Sequence, residues 1–168
     1  AKTGRSLNEN ITVGRARYEG NWLPEPAMWG PLGNYVFNRS GVAVTVTDAE
    51  GGGVLDLDRI GKVDYKLIHL TGTHSVFLTD AQKTAIQQYL GRGGTILVET
   101  VGGQGDFSRS IEKQLSTMFN NAFAVPLTVS DPIISGKGLD GGQDCARSVY
   151  RRYAVVKLQF DPQPRLAA

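Results

Sequence analysis

The stretch LTGTHSVFLTDAQKTAIQQYLGRGGTILVET, Leu70 to Thr100, decides the fold. It leaves an apolar run, Tyr65 to Leu70 (YKLIHL), that ends at Gly72 and predicts a strand. Thr79 then stands where a helix N-cap belongs. Gln82 follows three residues later as its capping-box partner, and Asp80 complements the positive end of the helix dipole. Ala81, Ala85, Ile86, Tyr89 and Leu90 share one face of that helix, the spacing of a stripe packed on a sheet. Gly91 lies where a left-handed C-cap is wanted, and Gly93-Gly94 lead into Thr95 to Val98 (TILV), expected as a buried strand. Strand, capped helix, glycine turn, strand is a βαβ unit, whose crossover is right-handed by general rule.

Working outward, the same alternation continues. Ile11 to Tyr18 (ITVGRARY) predicts a strand, after which Pro24, Pro26 and Pro31 forbid continuous regular structure until about Leu32. A short helix is expected from there to Ser40, with Leu32, Tyr35, Val36 and Trp29 on one face and Gly41 ending it. Val42 to Thr47 (VAVTVT) reads as a buried strand, and DAEGGG as a loop. On the other side, ETVGGQGDF precedes a helix near Ser108 to Phe119 that aligns Ile111, Leu115, Met118 and Phe119. Ala124 to Val129 and Tyr153 to Phe160 are further strand candidates, separated by a glycine-rich excursion, Asp131 to Cys145. Strands alternating with helices predict an α/β fold: an open, mostly parallel sheet with helices on both faces. The expected division is an extension over 1–10, a single α/β domain over 11–160, and a tail over 161–168 where the chain is expected to be truncated.

Composition narrows the function classes. A chain of 168 residues can bury one sizeable core, and 40% hydrophobic with 20% charged residues is ordinary globular usage. A net charge of +2 argues against nucleic acid or an acidic membrane surface as partner, and the cluster of Arg147, Arg151 and Arg152 reads as a solvated face. Cys145 is the only cysteine, so no disulfide within the chain and no cysteine-based zinc site is available. No apolar run approaches the roughly 20 residues that span a bilayer, so no transmembrane segment is expected. The chain opens on Ala1, from which a removed leader or upstream domain is expected.

Three blocks, RARYEGNWLPEP (Arg15 to Pro26), the quoted stretch, and GGQGDFSRSIEKQL (Gly102 to Leu115), resemble in order and spacing the bacterial domain-of-unknown-function family numbered 4159. The resemblance implies a flavodoxin-like fold of the class I glutamine amidotransferase-like and trehalose-utilisation-like type, a three-layer sandwich. It also implies an extracytoplasmic, periplasmic setting, with the cytoplasm as alternative. The chain departs from the family pattern at Thr73, where a histidine usually follows the glycine and His74 is displaced by one. Amidotransferase-like relatives place a nucleophilic cysteine at the elbow after the Gly-Gly strand. Here the elbow holds Thr100 and Val101, so cysteine-dependent amidotransfer is not expected.

Ligands of open α/β sheets bind outside the carboxyl ends of the strands. Three loops leave predicted strand ends, Glu19 to Trp22, Thr71 to Ser75 and Glu99 to Asp106, and they supply the candidates. Trp22, Thr71, Gly72, Gly102 and Gly103 are the ligand-binding candidates. Trp22 offers a stacking surface, and the glycines before a helix either present N–H groups to an anion or make a tight turn. Ser108 occupies the last place of a G-x-G-x-x-G pattern, which is therefore incomplete. His74 is either a general base partnered by Glu99 or Asp106 or a loop histidine that hydrogen-bonds its own turn. His69 is expected as a satisfied, partly buried imidazole and Trp29 as core. Glu99 is expected either as a cleft acid or in an ion pair with Arg15 or Arg17. SGKG around Lys137 fails as a Walker loop, and DLDRIG from Asp56 fails as a calcium loop because Ile60 and Leu67 occupy ligand positions. The sequence therefore predicts a non-catalytic binding or scaffolding domain without cofactor or metal, taking a small molecule or protein partner within a larger assembly. The alternative is a hydrolase-like enzyme using His74 with Glu99 and Asp106, with metal assistance. A structural subunit, with a late strand near Val155 paired to another chain, is a third expectation.

Overall fold

The computed structural model describes residues 10–47, 53–102, 106–120, 122–135 and 156–159. Along the chain run β1 (Asn10–Arg17), α1 (Trp29–Ser40), β2 (Ala43–Thr47), β3 (Leu55–Asp56), β4 (Leu67–Gly72), α2 (Asp80–Gly91), β5 (Thr95–Thr100), α3 (Phe107–Met118), β6 (Phe123–Pro126), α4 (Pro132–Ser135) and β7 (Val156–Gln159). The main sheet has the order β2-β1-β4-β5 with every pair parallel, and β3 adds to the carboxyl end of β1 through Ala16↔Leu55. This is an α/β fold with a mostly parallel sheet.

Register assigns the faces. Gly14 pairs with Ile68 and Ile68 with Ile96, while Arg15 pairs with His69 and His69 with Leu97. Side chains alternate along a strand, so these two rows point to opposite sides. The first row's face carries the apolar core: Ala16, Ile68 and Leu70 meet Ala85, Ile86 and Tyr89 of α2 and Phe107, Ile111 and Leu115 of α3. Each fully buried large apolar side chain there contributes roughly 1.5–3 kcal/mol. The second row's face sets the buried polar Arg15, His69 and Thr71 beside Val13 and lies under Trp29, the first residue of α1.

The βαβ unit forms as its punctuation predicts. Thr79 Oγ1 accepts from the Gln82 N–H at 3.2 Å and Gln82 Oε1 from the Thr79 N–H at 2.9 Å. Caps of this kind contribute about 1 kcal/mol. Two details differ. The helix runs through Gly91, and Gly93 takes the left-handed conformation, at φ 84°. Ala81 falls on the exposed first turn, so the buried stripe is Ala85, Ile86 and Tyr89.

Elsewhere the local physics shifts boundaries and faces. α1 begins at Trp29, because Pro31 sits within the first turn, where its missing N–H has no helical partner to lose. Its inward face carries Trp29, with Gly33, Val36 and Ser40 half-buried, whereas Leu32 and Tyr35 are 42% and 52% exposed. Gly41 caps it in the left-handed region as expected, its N–H 2.8 Å from the Phe37 carbonyl. β2 and β5, expected as buried strands, stand at the two ends of the described strand order and are partly exposed. β6 is shorter than Ala124 to Val129, and β7 pairs with it antiparallel, Phe123↔Gln159, so the late strand finds a partner within the chain. The β3 pairing and the 3-10 turn Leu57–Lys62 were not foreseen. That turn buries Leu57 and Ile60 against α2.

Candidate functional site

The chain goes one way from β1 to β2 and the other way to β4, so strand order reverses between β1 and β4. A crevice at such a switch point, outside the carboxyl ends, is where open α/β sheets hold ligands. The loops leaving β1 and β4 are laced together there. The Tyr18 hydroxyl lies 2.9 Å from the Thr71 carbonyl and 3.1 Å from that of Asn21. Asn21 Nδ2 donates to Thr73 Oγ1 at 3.3 Å, and Thr73 Oγ1 lies 2.8 Å from His74 Nδ1. His74 is thus tied to its own turn. Thr71 is buried and donates to the Trp22 carbonyl at 2.8 Å, while the Trp22 ring packs against the apolar core. The loop after β5 joins the same edge through the Val101 N–H on the Gly72 carbonyl, at 3.0 Å.

The elbow after β5 has a structural occupation. Asp106, at the N-cap of α3, makes no side-chain cap bond. Thr100 serves instead: its Oγ1 accepts from the Ser108 N–H at 2.9 Å and is paired with the Ser108 hydroxyl. The strand end and the helix start are joined by this one side chain.

Beneath the edge, Glu99 Oε2 stands 3.3 Å from His69 Nε2. Arg17, one of its two expected partners, instead pairs with Asp56 at 2.6 Å. Arg15 is buried and donates from Nη1 to the carbonyls of Glu25 and Pro26, at 3.0 and 3.1 Å. Asp106 pairs with Arg109 at 3.1 Å. His74, Glu99 and Asp106 are therefore each engaged by a different neighbour. Among the described residues no three His, Cys, Asp or Glu side chains gather as a metal site.

A cleft of about 330 Å³ opens at the carboxyl ends of β1 and β3, where Arg17, Tyr18, Glu19, Asp56, Leu57 and Asp58 line it together with Gln82 of α2. Sequence reasoning missed it, because the Arg17–Asp56 pair spans 39 residues and forms only through the β1–β3 register. The one available signal was the pair of carboxylates in DLDRIG, weighed only as a calcium loop. Gly102 has a left-handed φ of 79°, while Gly103, Gly105, Lys137 and Cys145 lie outside the described residues.

The model of the family named Domain of unknown function (DUF4159) matches residues 12–153. The chain belongs to the DUF4159 family. The match runs from within β1 through α4 and takes in all three loops of the candidate edge. No curated protein and no solved structure matches this DUF4159 chain. Among its described residues no helix is long and apolar enough to cross a membrane.

Tyr18 gives this DUF4159 domain a measurable alkaline signature. Burial pushes its hydroxyl from 10.0 up to about 12. Between those values the folded chain holds a proton the unfolded chain has released. Its contribution is therefore complete below pH 10 and is lost as pH rises towards 12. Burial also raises Tyr89, which acts in the same direction, so the check is a difference. Denaturant unfolding of wild type and Tyr18→Phe is expected to show a stability gap that changes across this window in favour of the variant. A gap independent of pH would contradict it.

Proposed function

We propose that this chain is a non-catalytic binding or scaffolding domain of a larger bacterial, periplasmic protein or assembly, built on the flavodoxin-like, class I glutamine amidotransferase-like architecture. With the short β3 set aside, the order β2-β1-β4-β5 agrees with the first four places of the flavodoxin-like order 2-1-3-4-5. The observation that carries the functional half is Thr100. A nucleophile must be exposed and activated by a neighbouring base. The Thr100 hydroxyl at the elbow instead accepts the Ser108 N–H and pairs with the Ser108 hydroxyl, work that belongs to holding α3.

The binding edge runs from Asn21 and the Thr73-His74 turn to the cleft at Arg17 and Asp56. Arg17, Glu19, Asp56 and Asp58 put charged groups around a cleft that Leu57 also lines, which suits a small ligand with polar groups, or a polar side chain of a partner. The test is a titration of the isotopically labelled chain with amines, amino acids, sugars and phosphate, followed by amide chemical shifts, alongside assays of glutamine, ester and amide hydrolysis. Saturable shifts at residues 17–21, 56–58 and 71–74 without turnover are expected. Turnover that disappears in His74→Ala would replace this proposal with the hydrolase-like one.

A further inference from the structure

Among the described residues three polar side chains are buried, Arg15, His69 and Thr71, and all project from the same face of the sheet. Each holds the segment between β1 and α1. Thr71 donates to the carbonyl of Trp22, Arg15 to those of Glu25 and Pro26, and His69 Nδ1 lies 2.9 Å from the indole Nε1 of Trp29. The segment cannot hold itself by a backbone ladder, because Pro24 and Pro26 carry no N–H. It is a strap, hung on the sheet by its carbonyls and one indole.

The indole fixes the imidazole's proton. Trp Nε1 only donates, so His69 Nδ1 presents its lone pair and the ring proton sits on Nε2, facing Glu99 Oε2 at 3.3 Å. A second ring proton has one place to go, Nδ1, where it would oppose the indole N–H donor against donor. Among the described residues the charged groups facing the ring are Glu99 from β5, at 3.3 Å, and Arg15 from β1, its register partner. From α1 the ring meets Trp29, edge-on with centroids 5.5 Å apart; the strap's Glu25 meets Arg15 through its carbonyl, its carboxylate being on an exposed residue. Proton uptake by this buried ring and departure of Trp29 are therefore one event.

We propose that His69 is a proton-operated latch: protonation at Nδ1 releases the Trp29 indole and loosens the strap. The strap carries Asn21 and Trp22, which contact Thr73 and Thr71, so opening the latch takes apart the β1 side of the edge described above. The latch is independent of what that edge binds.

The chain's two tryptophans and two histidines make it directly observable by NMR, with Trp22→Phe and His74→Ala assigning the signals. As pH is lowered, the Cε1–H resonance of His69 is expected to move to the imidazolium position. Over the same range the Trp29 indole N–H cross-peak is lost and the amides of residues 21–23 shift, while the indole of Trp22 stays. In Trp29→Phe, which keeps an aromatic ring without the donor, the strap amides are expected to show no step. His69→Gln, which cannot take up a ring proton, is expected to abolish the step. A Trp29 indole peak unmoved after His69 is protonated, a His69 protonated only as the whole chain unfolds, or a Trp29→Phe variant whose strap amides still step would each overturn the latch.

Discussion

A Trp29→Ala variant is expected to unfold about 3–5 kcal/mol more easily than wild type, the range for deleting a large buried aromatic side chain. Trp29 is 8% exposed and is the buried residue of α1. Its ring stands edge-on to His69, interplanar angle 79°, and its indole N–H is the donor to Nδ1. Alanine removes three things together: the apolar cover over the His69 face of the sheet, the donor to a buried ring nitrogen, and the anchor that ends the strap. In a chain of this size such a loss lowers the melting temperature by roughly 6–20 °C. Trp29→Phe separates the contributions. It restores most of the cover and leaves only the missing hydrogen bond, worth about 1–3 kcal/mol when a buried acceptor is stranded. Chemical denaturation of the three proteins at neutral pH decides it. If Trp29→Ala costs less than about 1 kcal/mol, the indole is not what closes this face.

The weight on Trp29 shows where sequence and structure part. The βαβ unit was legible because its signals are local: Thr79 and Gln82 cap a helix whatever lies across the sheet, and Ala85, Ile86 and Tyr89 share a face by helical period alone. α1 was legible as a helix but not in orientation. Leu32 and Tyr35 suit an apolar stripe, yet both stand exposed, and what turns inward over His69 is the aromatic residue of α1 with an N–H to give. No periodicity within the segment encodes that choice. It depends on His69, 40 residues away.

The site divides in the same manner. That the loops after β1, β4 and β5 meet at one edge follows from parallel strands, and the tie of His74 to its own turn is a contact between neighbours in sequence. That Glu99 meets His69 was not legible, since it depends on which strands adjoin. β4 lies between β1 and β5 and puts His69 beside the Glu99 carboxylate at 3.3 Å. Arg17 finds Asp56 because β3, two residues long and followed by a 3-10 turn, continues the sheet past β1. Elements that short carry no usable hydrophobic period.

Gly72, a ligand-binding candidate from sequence, is expected to prove a packing position. A Cβ at Gly72 would fall within contact distance of Tyr18 Oη and of the Phe107 ring, whose Cε2 would lie 2.7 Å away. Neither neighbour can yield cheaply. The Tyr18 hydroxyl is held between the carbonyls of Thr71 and Asn21, and Phe107 is fully buried, stacked on Tyr18 with centroids 5.6 Å apart. Gly72→Ala is therefore expected to destabilise by about 3 kcal/mol, at the upper end of the usual overpacking range. This corresponds to a fall in melting temperature of roughly 6–12 °C. The mechanism has its own signature in a double-mutant cycle. Tyr18→Phe removes the hydroxyl that an added methyl meets, so Gly72→Ala in that background should cost at least about 1 kcal/mol less than in wild type. Additive costs would mean that the hydroxyl is not the obstacle. A near-neutral Gly72→Ala that selectively weakens ligand binding would return this glycine to the binding edge, because only a position facing open solvent accepts a methyl without moving Tyr18 or Phe107.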